Sequence, residues 1–302
     1  MDFLATLAYP AWGHLEKSAL NMQSSRGVKL FTCRWIPAYR EPKGLIFLFH
    51  GYGMECSMSM RECGIRLAKA GFAVYGIDYE GHGRSPGLKC YIPNFDDIVL
   101  DCSDHFTSIC EKKENKDKMR FLMGESMGGA VVLLLHRKKP DYWNGAVLVA
   151  PMCKISDEMR PHPLMVNVLP KLARLIPTWK LIPTPNIIDA AIRVPEIRNK
   201  IRSNPLFYKE RPRLQTGYQL LKVSLDLEAR MREVSLPFFV IHGGEDKVTD
   251  PSFSKLLYES ASSSDKSFKL YHGMWHSLIF GELPENIEIV FSDIFSWLDE
   301  RV

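Results

Sequence analysis

The amino-acid sequence predicts an α/β fold in which a mostly parallel sheet is covered by helices on both faces and interrupted by a helical insertion. Three observations carry this expectation. Short apolar runs alternate with amphipathic helical patterns along most of the chain, the rhythm of strand–helix–strand units. Two of the runs, Leu45–Phe49 and 72–77, are almost solidly apolar, as strands buried on both faces are. The rhythm breaks once, over about 151–236, where prolines crowd (Pro161, Pro163, Pro170, Pro177, Pro183, Pro185, Pro195, Pro205 and Pro212) and only short helical pieces remain.

Each element follows in order. Residues 28–36 alternate like a half-exposed strand, and Leu45–Phe49 and 72–77 follow as central strands. Phe95, Val99, Cys102, Phe106 and Ile109 recur at steps of four and three, which predicts an amphipathic helix. A short strand at 120–123 runs into Gly124-Glu125-Ser126-Met127-Gly128-Gly129, a helix continues over 130–136, and 146–150 is the next strand. After the insertion come a strand at 237–241 and a helix Pro251–Ser260, capped by Asp250 with Pro251 at its first position. A last strand at 267–271 precedes a closing helix whose Ile287, Val290, Phe291, Ile294, Trp297 and Leu298 share one face. The expected organisation is one α/β domain over 25–302 with a cap inserted at about 151–236. Residues 1–24 read as a loosely packed leader. They have no basic n-region, and Asp2, Pro10 and Trp12 interrupt any signal-type core.

Composition narrows the function. The chain has 302 residues, 46% hydrophobic and 25% charged, the balance of an ordinary globular protein. No apolar run is long enough to span a membrane. The net charge of +4 is spread out, with no basic block interleaved with aromatics, so nucleic acid is not an expected partner. The seven cysteines (Cys33, Cys56, Cys63, Cys90, Cys102, Cys110 and Cys153) form no C-x-x-C pair and no zinc-ligand spacing. They read as buried, reduced residues of a cytoplasmic protein.

Gly124-Glu125-Ser126-Met127-Gly128 matches G-x-S-x-G, a pattern that about one chain in ten of this composition carries by chance. Its context makes it specific. A nucleophile on a sharp strand-to-helix turn projects its oxygen from the top of a sheet, and flanking glycines relieve the crowding. The helix N-terminus behind Ser126 adds a positive field where an oxyanion forms. A serine also needs a base, and in this arrangement acid and base follow the serine in that order. His276 lies in the loop after the last strand, with His272 as its rival at the strand end. Asp246 ends the run Phe238-Phe239-Val240-Ile241-His242-Gly243-Gly244-Glu245-Asp246, with Glu245 and Asp250 as competitors. Two backbone N–H donors complete an oxyanion hole. Met127 supplies one, and Tyr52 in His50-Gly51-Tyr52-Gly53 the other, with His50 supporting that loop.

These motifs, together with Asp78-Tyr79-Glu80-Gly81-His82-Gly83-Arg84-Ser85 and Gly273-Met274-Trp275-His276, resemble the plant monoacylglycerol lipase family, which includes caffeoylshikimate esterases. The resemblance runs from about residue 25 to the C-terminus. It implies an α/β-hydrolase fold, with Ser126, Asp246 and His276 as catalytic residues and Tyr52 and Met127 as oxyanion donors. It also implies a cap lining an acyl tunnel and no metal or organic cofactor. The implied substrate is a monoacylglycerol-type ester. Caffeoylshikimate and lysophospholipid are the alternatives, and a non-enzymatic receptor on this fold is the rival class.

The cap stretch 165–182 is rich in apolar residues, among them Met165, Val166, Val168, Leu169, Leu172, Leu175, Ile176, Trp179, Leu181 and Ile182. Lys171, Arg174 and Lys180 interrupt it. This pattern suits both packing onto the core and a transient contact of the cap with a membrane surface. Arg160, Lys171 and Arg174 are candidates to bind a shikimate carboxylate.

Overall fold

The computed structural model describes residues 15–38, 40–152, 163–182 and 186–302. Its centre is an eight-stranded sheet in the order β1-β2-β4-β3-β5-β6-β7-β8. The strands are β1 Leu15–Gln23, β2 Lys29–Pro37, β3 Leu45–Phe49, β4 Ala73–Ile77, β5 Arg120–Glu125, β6 Gly145–Val149, β7 Phe238–Gly243 and β8 Lys266–Tyr271. β1 and β2 pair antiparallel, β2 meets β4 antiparallel, and every pairing from β4 to β8 is parallel. The central strands have side chains buried on both faces, and so their sequences read as unbroken apolar runs.

The period of two sorts those side chains into two cores. Leu45, Phe47, Phe49, Leu122, Leu148 and Val240 face one side. There they meet helix α2 (Phe95–Cys110) and helix α3 (Met127–Lys138). Ile46, Leu48, Phe121, Met123, Val149 and Ile241 face the other side, against α1 (Arg61–Lys69) and α9 (Pro284–Asp299). Phe47 packs on Phe106 with ring centroids 4.6 Å apart. Burying a side chain of that size contributes about 2 kcal/mol. α8 (Pro251–Ser260) starts as its sequence predicts, with the Asp250 carboxylate accepting from Ser252 N at 2.8 Å and Pro251 at the first turn.

Between β6 and β7 lie α4 (Pro163–Leu175), α5 (Ile187–Ala191), α6 (Pro195–Ser203) and α7 (Leu214–Ala229). These helices form two groups. Leu169 packs with Leu214 and Leu221 of α7, and α7 in turn buries Val223 and Leu227 in the main core. Ile188, Ala191, Ile192 and Ile201 cluster instead with Val248 and Phe280, beside the loops that follow β7 and β8. In the apolar stretch, Leu172, Ile176 and Ile182 pack inward, while Val168, Leu175, Trp179 and Leu181 are exposed. The side chains of Met165 and Val166, like Arg160, lie outside the described residues.

Two expectations are corrected. The leader ends earlier than residue 24, because Leu15–Gln23 is a full strand paired with β2 in register from Leu15↔Pro37 to Gln23↔Lys29. Its turn at 24–28 closes through Val28 C=O accepting from Ser24 N at 2.8 Å, with Gly27 at φ 81°. Nor does the sequence pattern predict helix α1. Its Cys63, Leu67 and Ala68 give it only one short apolar stripe.

Candidate active site

Ser126 sits between β5 and α3 at φ 54° and ψ −119°, a left-handed conformation that costs a non-glycine residue about 1–3 kcal/mol. Main-chain bonds hold it there. Ser126 N donates to Val149 C=O at 3.0 Å, and its own carbonyl accepts from Gly129 N and Met152 N, both at 2.9 Å. The flanking glycines answer to contact rather than to flexibility. A Cβ at Gly124 would lie 2.4 Å from Gly128 O, and one at Gly128 would lie 2.0 Å from Phe49 O. The missing side chain at Gly124 lets α3 fold back tightly on β5, and the one at Gly128 lets α3 approach the end of β3.

That approach brings in the loop after β3. A Cβ on Gly51 would lie 3.4 Å from the Ser126 Cβ. The Tyr52 N–H has no acceptor among the described residues, and the Met127 N–H opens α3, where a helix leaves its donors unpaired. His50 is fully buried, and burial holds its pKa well below the ordinary value. Tyr79 N donates to His50 Nε2 at 3.3 Å, so Nδ1 carries the proton and donates to Gly51 C=O at 2.8 Å. His50 thus braces the loop as a neutral residue, the supporting part its position predicts.

The same loop is fastened to the cap. The buried Glu55 carboxylate accepts from Met58 N at 2.6 Å and Ser59 Oγ at 2.7 Å. It also accepts from Asn204 Nδ2, just past α6, at 3.0 Å. Tyr208 N donates to Gly53 C=O at 2.8 Å. A cavity of about 360 Å³ reaches this point, lined by Ile187, Ile188, Phe207 and Tyr208 among others. A larger one, of about 470 Å³, opens beside Asp96, Arg137 and Glu233, and neither cavity is lined by a candidate site residue.

Asp246 and His276 meet across the ends of β7 and β8. His276 Nδ1 lies 2.6 Å from Asp246 Oδ2, with the histidine side chain 6% exposed and the carboxylate 0%. Four further donors surround this carboxylate. Oδ2 accepts from His242 Nε2 and from Thr249 Oγ1, each at 2.9 Å, and Oδ1 accepts from Val248 N at 2.7 Å and Thr249 N at 3.1 Å. Burial alone would raise the Asp246 pKa, but the two histidines overcome it and hold the group far below the usual carboxylate range. Burial likewise opposes charge on His276, yet the Asp246 carboxylate prevails and raises its pKa above the ordinary value. The rivals lie in different settings. His272 and Glu245 are exposed, and Asp250 is occupied as the cap of α8.

Glu125, the variable residue inside the serine motif, went unnoticed in the sequence. It follows Phe121 and Met123 on the α1–α9 face, is 1% exposed, and neither carboxyl oxygen has a hydrogen-bond partner among the described residues. Burial pushes its pKa up to about 7, with His276 pulling it down and Asp246 pushing it up. This mutual effect also places Ser126's immediate neighbour within electrostatic reach of His276. His242 and Thr249 were missed too, although the spacing of His242 four residues before Asp246 was in plain view. The six described cysteines are buried and form no disulfide among the described residues. Among the described residues no cluster of three His, Cys, Asp or Glu side chains could hold a metal, and no helix is long and apolar enough to cross a membrane.

A parallel sheet flanked by helices, with a serine on the strand-to-helix turn of β5 and a His–Asp pair on the loops after β7 and β8, defines an α/β-hydrolase. The chain belongs to the family described as Serine aminopeptidase, S33, whose model matches residues 40–283. Relatives include the caffeoylshikimate esterase of Arabidopsis thaliana, 38% identical over 91% of this chain and 83% of that protein. The monoglyceride lipase of Mus musculus is 31% identical over 93% of this chain and 90% of its own length. A solved monoglyceride lipase from Saccharomyces cerevisiae shares the fold at a TM-score of 0.83 and 20% identity, over 97% of this chain and 99% of that one. The chain is a serine ester hydrolase.

Proposed function

We propose that the chain hydrolyses esters of an apolar acyl chain with a small polar head, the monoacylglycerol type, with Ser126 as nucleophile, His276 as base and Asp246 as the orienting acid. The observation that carries the reading is the buried 2.6 Å contact between His276 Nδ1 and Asp246, on a sheet whose strand β5 leads into a serine held at φ 54°. Because Nδ1 donates to the carboxylate, Nε2 is left free to accept the serine proton. Ser126 Oγ attacks the ester carbonyl as its proton passes to His276 Nε2, and the oxyanion is met by the N–H groups of Tyr52 and Met127. The C–O bond to the alcohol breaks, His276 returns the proton to the leaving oxygen, and an acyl-enzyme remains. Water then repeats the sequence and releases the acid. Every proton is shuttled by His276, so the cycle needs no cofactor.

The cap supports an apolar acyl chain. Leu175, Trp179 and Leu181 stay exposed at 77%, 56% and 53%, next to Lys171 and Arg174, a surface suited to transient contact with lipid. Mouse and human relatives that cover most of this chain are monoglyceride lipases. A phenylpropanoid ester is the second reading, favoured by the 38% identity to a caffeoylshikimate esterase.

The test is kcat/KM below the micelle threshold, varying acyl length on a glycerol head, with caffeoylshikimate alongside. Each methylene buried adds about 0.8 kcal/mol, so the value should climb from short to medium chains and then level off. A flat profile with caffeoylshikimate ahead would transfer the assignment to phenylpropanoid esters. Ser126→Ala should cost about 10⁴-fold or more. Residual activity above a few per cent in pure protein would remove Ser126 from its role.

A further inference from the structure

Asp246 is shared by two histidines, and the proposed mechanism uses only His276. The other, His242, is fully buried within β7 and has a partner on each ring nitrogen. Its Nε2 lies 2.9 Å from Asp246 Oδ2 and 3.1 Å from Thr249 C=O, and both of these are acceptors. Nε2 must therefore carry a proton. Its Nδ1 lies 2.7 Å from Ser254 Oγ on α8, and that hydroxyl can supply the complementary hydrogen. A neutral Nε2–H ring satisfies every contact. We propose that His242 is a positioning residue for the hydrolysis, donating into Asp246 Oδ2 so that the carboxylate keeps one orientation and shares its charge between two imidazoles. The inference rests on the reading of Asp246 and His276 given above.

The chemistry follows from how many donors share one oxygen. Oδ2 accepts from His276 Nδ1, His242 Nε2 and Thr249 Oγ1. Each added donor spreads the negative charge and weakens what is left for His276. Remove His242, and Oδ2 pulls harder on the His276 proton while losing one of the bonds that fix its direction. The base then holds its proton to higher pH and is presented less accurately to Ser126. The titratable groups that face this pair among the described residues are His242 on β7 and Glu125 at the end of β5; α8 contributes the neutral Ser254 and the loop before it the neutral Thr249.

The experiment compares wild type, His242→Phe and His242→Gln on p-nitrophenyl butyrate across pH, with rates normalised to the fraction labelled by a fluorophosphonate. His242→Phe removes the donor at similar bulk. Its acid limb of kcat/KM should move up by about 0.5–1 pH unit and kcat should fall about tenfold, with KM little changed. His242→Gln, whose amide can both donate to Asp246 and accept from Ser254, should recover most of both. A limb for His242→Phe that superimposes on wild type, or a His242→Gln no better than His242→Phe, overturns the proposal. ¹⁵N NMR of histidine-labelled wild type is independent of whether either variant folds. It should find a proton on His242 Nε2, and the Nδ1–H tautomer would overturn the proposal just as firmly. If instead wild type takes no label and releases no product, the catalytic reading itself has failed.

Discussion

Two buried carboxyls face His276, and they are opposites. Asp246 is ringed by five donors and stays ionised far below the usual carboxylate range. Glu125 is as deeply buried, has no donor among the described residues, and is pushed up to about 7. Burial acts on both in the same direction. The difference lies in what the backbone brings to each. The loop after β7 turns the N–H groups of Val248 and Thr249 and the Thr249 hydroxyl inward to Asp246, whereas Glu125 ends a strand whose N–H and C=O are spent on the sheet. Depth therefore does not decide which carboxyl is charged at neutral pH; the supply of donors does.

The comparison breaks hardest at Asp246. Asp246→Asn keeps the shape but replaces an acceptor by an amide that cannot hold His276 in the required tautomer, and kcat/KM should fall about 10³–10⁴-fold. Asp250→Asn and His272→Ala, assayed beside it, should leave turnover essentially unchanged. Loss of activity in either control, with Asp246→Asn active, would reverse the assignment. Glu125→Gln sharpens the other half. A carboxyl whose folded pKa lies above its unfolded value favours folding at low pH, and that contribution is lost as pH rises through the folded value. With values of 4.5 and about 7, the loss is on the order of 3 kcal/mol at about 1.4 kcal/mol per unit. The variant should match wild type in urea unfolding at pH 4, gain on it between pH 4.5 and 7, and hold a constant lead above that. A gap independent of pH would mean that the Glu125 pKa is the same in the folded and unfolded chain. The smallest effect belongs to Asn204→Ala, which removes one of several bonds to Glu55 and should lower stability by about 1 kcal/mol with kcat unchanged. A collapse of kcat would tie the cap to the chemistry itself.

Much of the fold was legible because buried parallel strands announce themselves. Leu45–Phe49 appears with the bounds its residues suggest, and Pro251–Ser260 begins at its cap and its proline. β1 was not legible, since Leu15–Gln23 mixes Glu16, Lys17, Ser18 and Asn21 with apolar residues and pairs along one edge only. At the candidate site, Ser126 could be singled out by its glycines, and Asp246 and His276 by their order along the chain and the family resemblance. Glu125, His242 and Thr249 could not. Their importance comes from neighbours that only the folded sheet brings together, and a buried histidine on a strand reads in sequence like any other core residue.

The separation of β6 from β7 carries a consequence for how such a chain can change. These strands are direct neighbours, Val149 opposite Ile241, although the whole cap is threaded between them. The entropy of closing a loop grows only with the logarithm of its length, about 0.6 kcal/mol for each doubling. Residues can thus be gained or lost there at little expense to the sheet. The freedom is not even, however. α7 is walled into the main core, and the segment from α5 to Tyr208 is bonded to the loops that carry His276 and Tyr52, with Ala191 C=O accepting from Ser277 N and Gly53 C=O from Tyr208 N. α4 and the residues just after it are held mainly by α7. Among the described cap residues, a change of length or sequence in that stretch therefore disturbs the sheet and its polar network least.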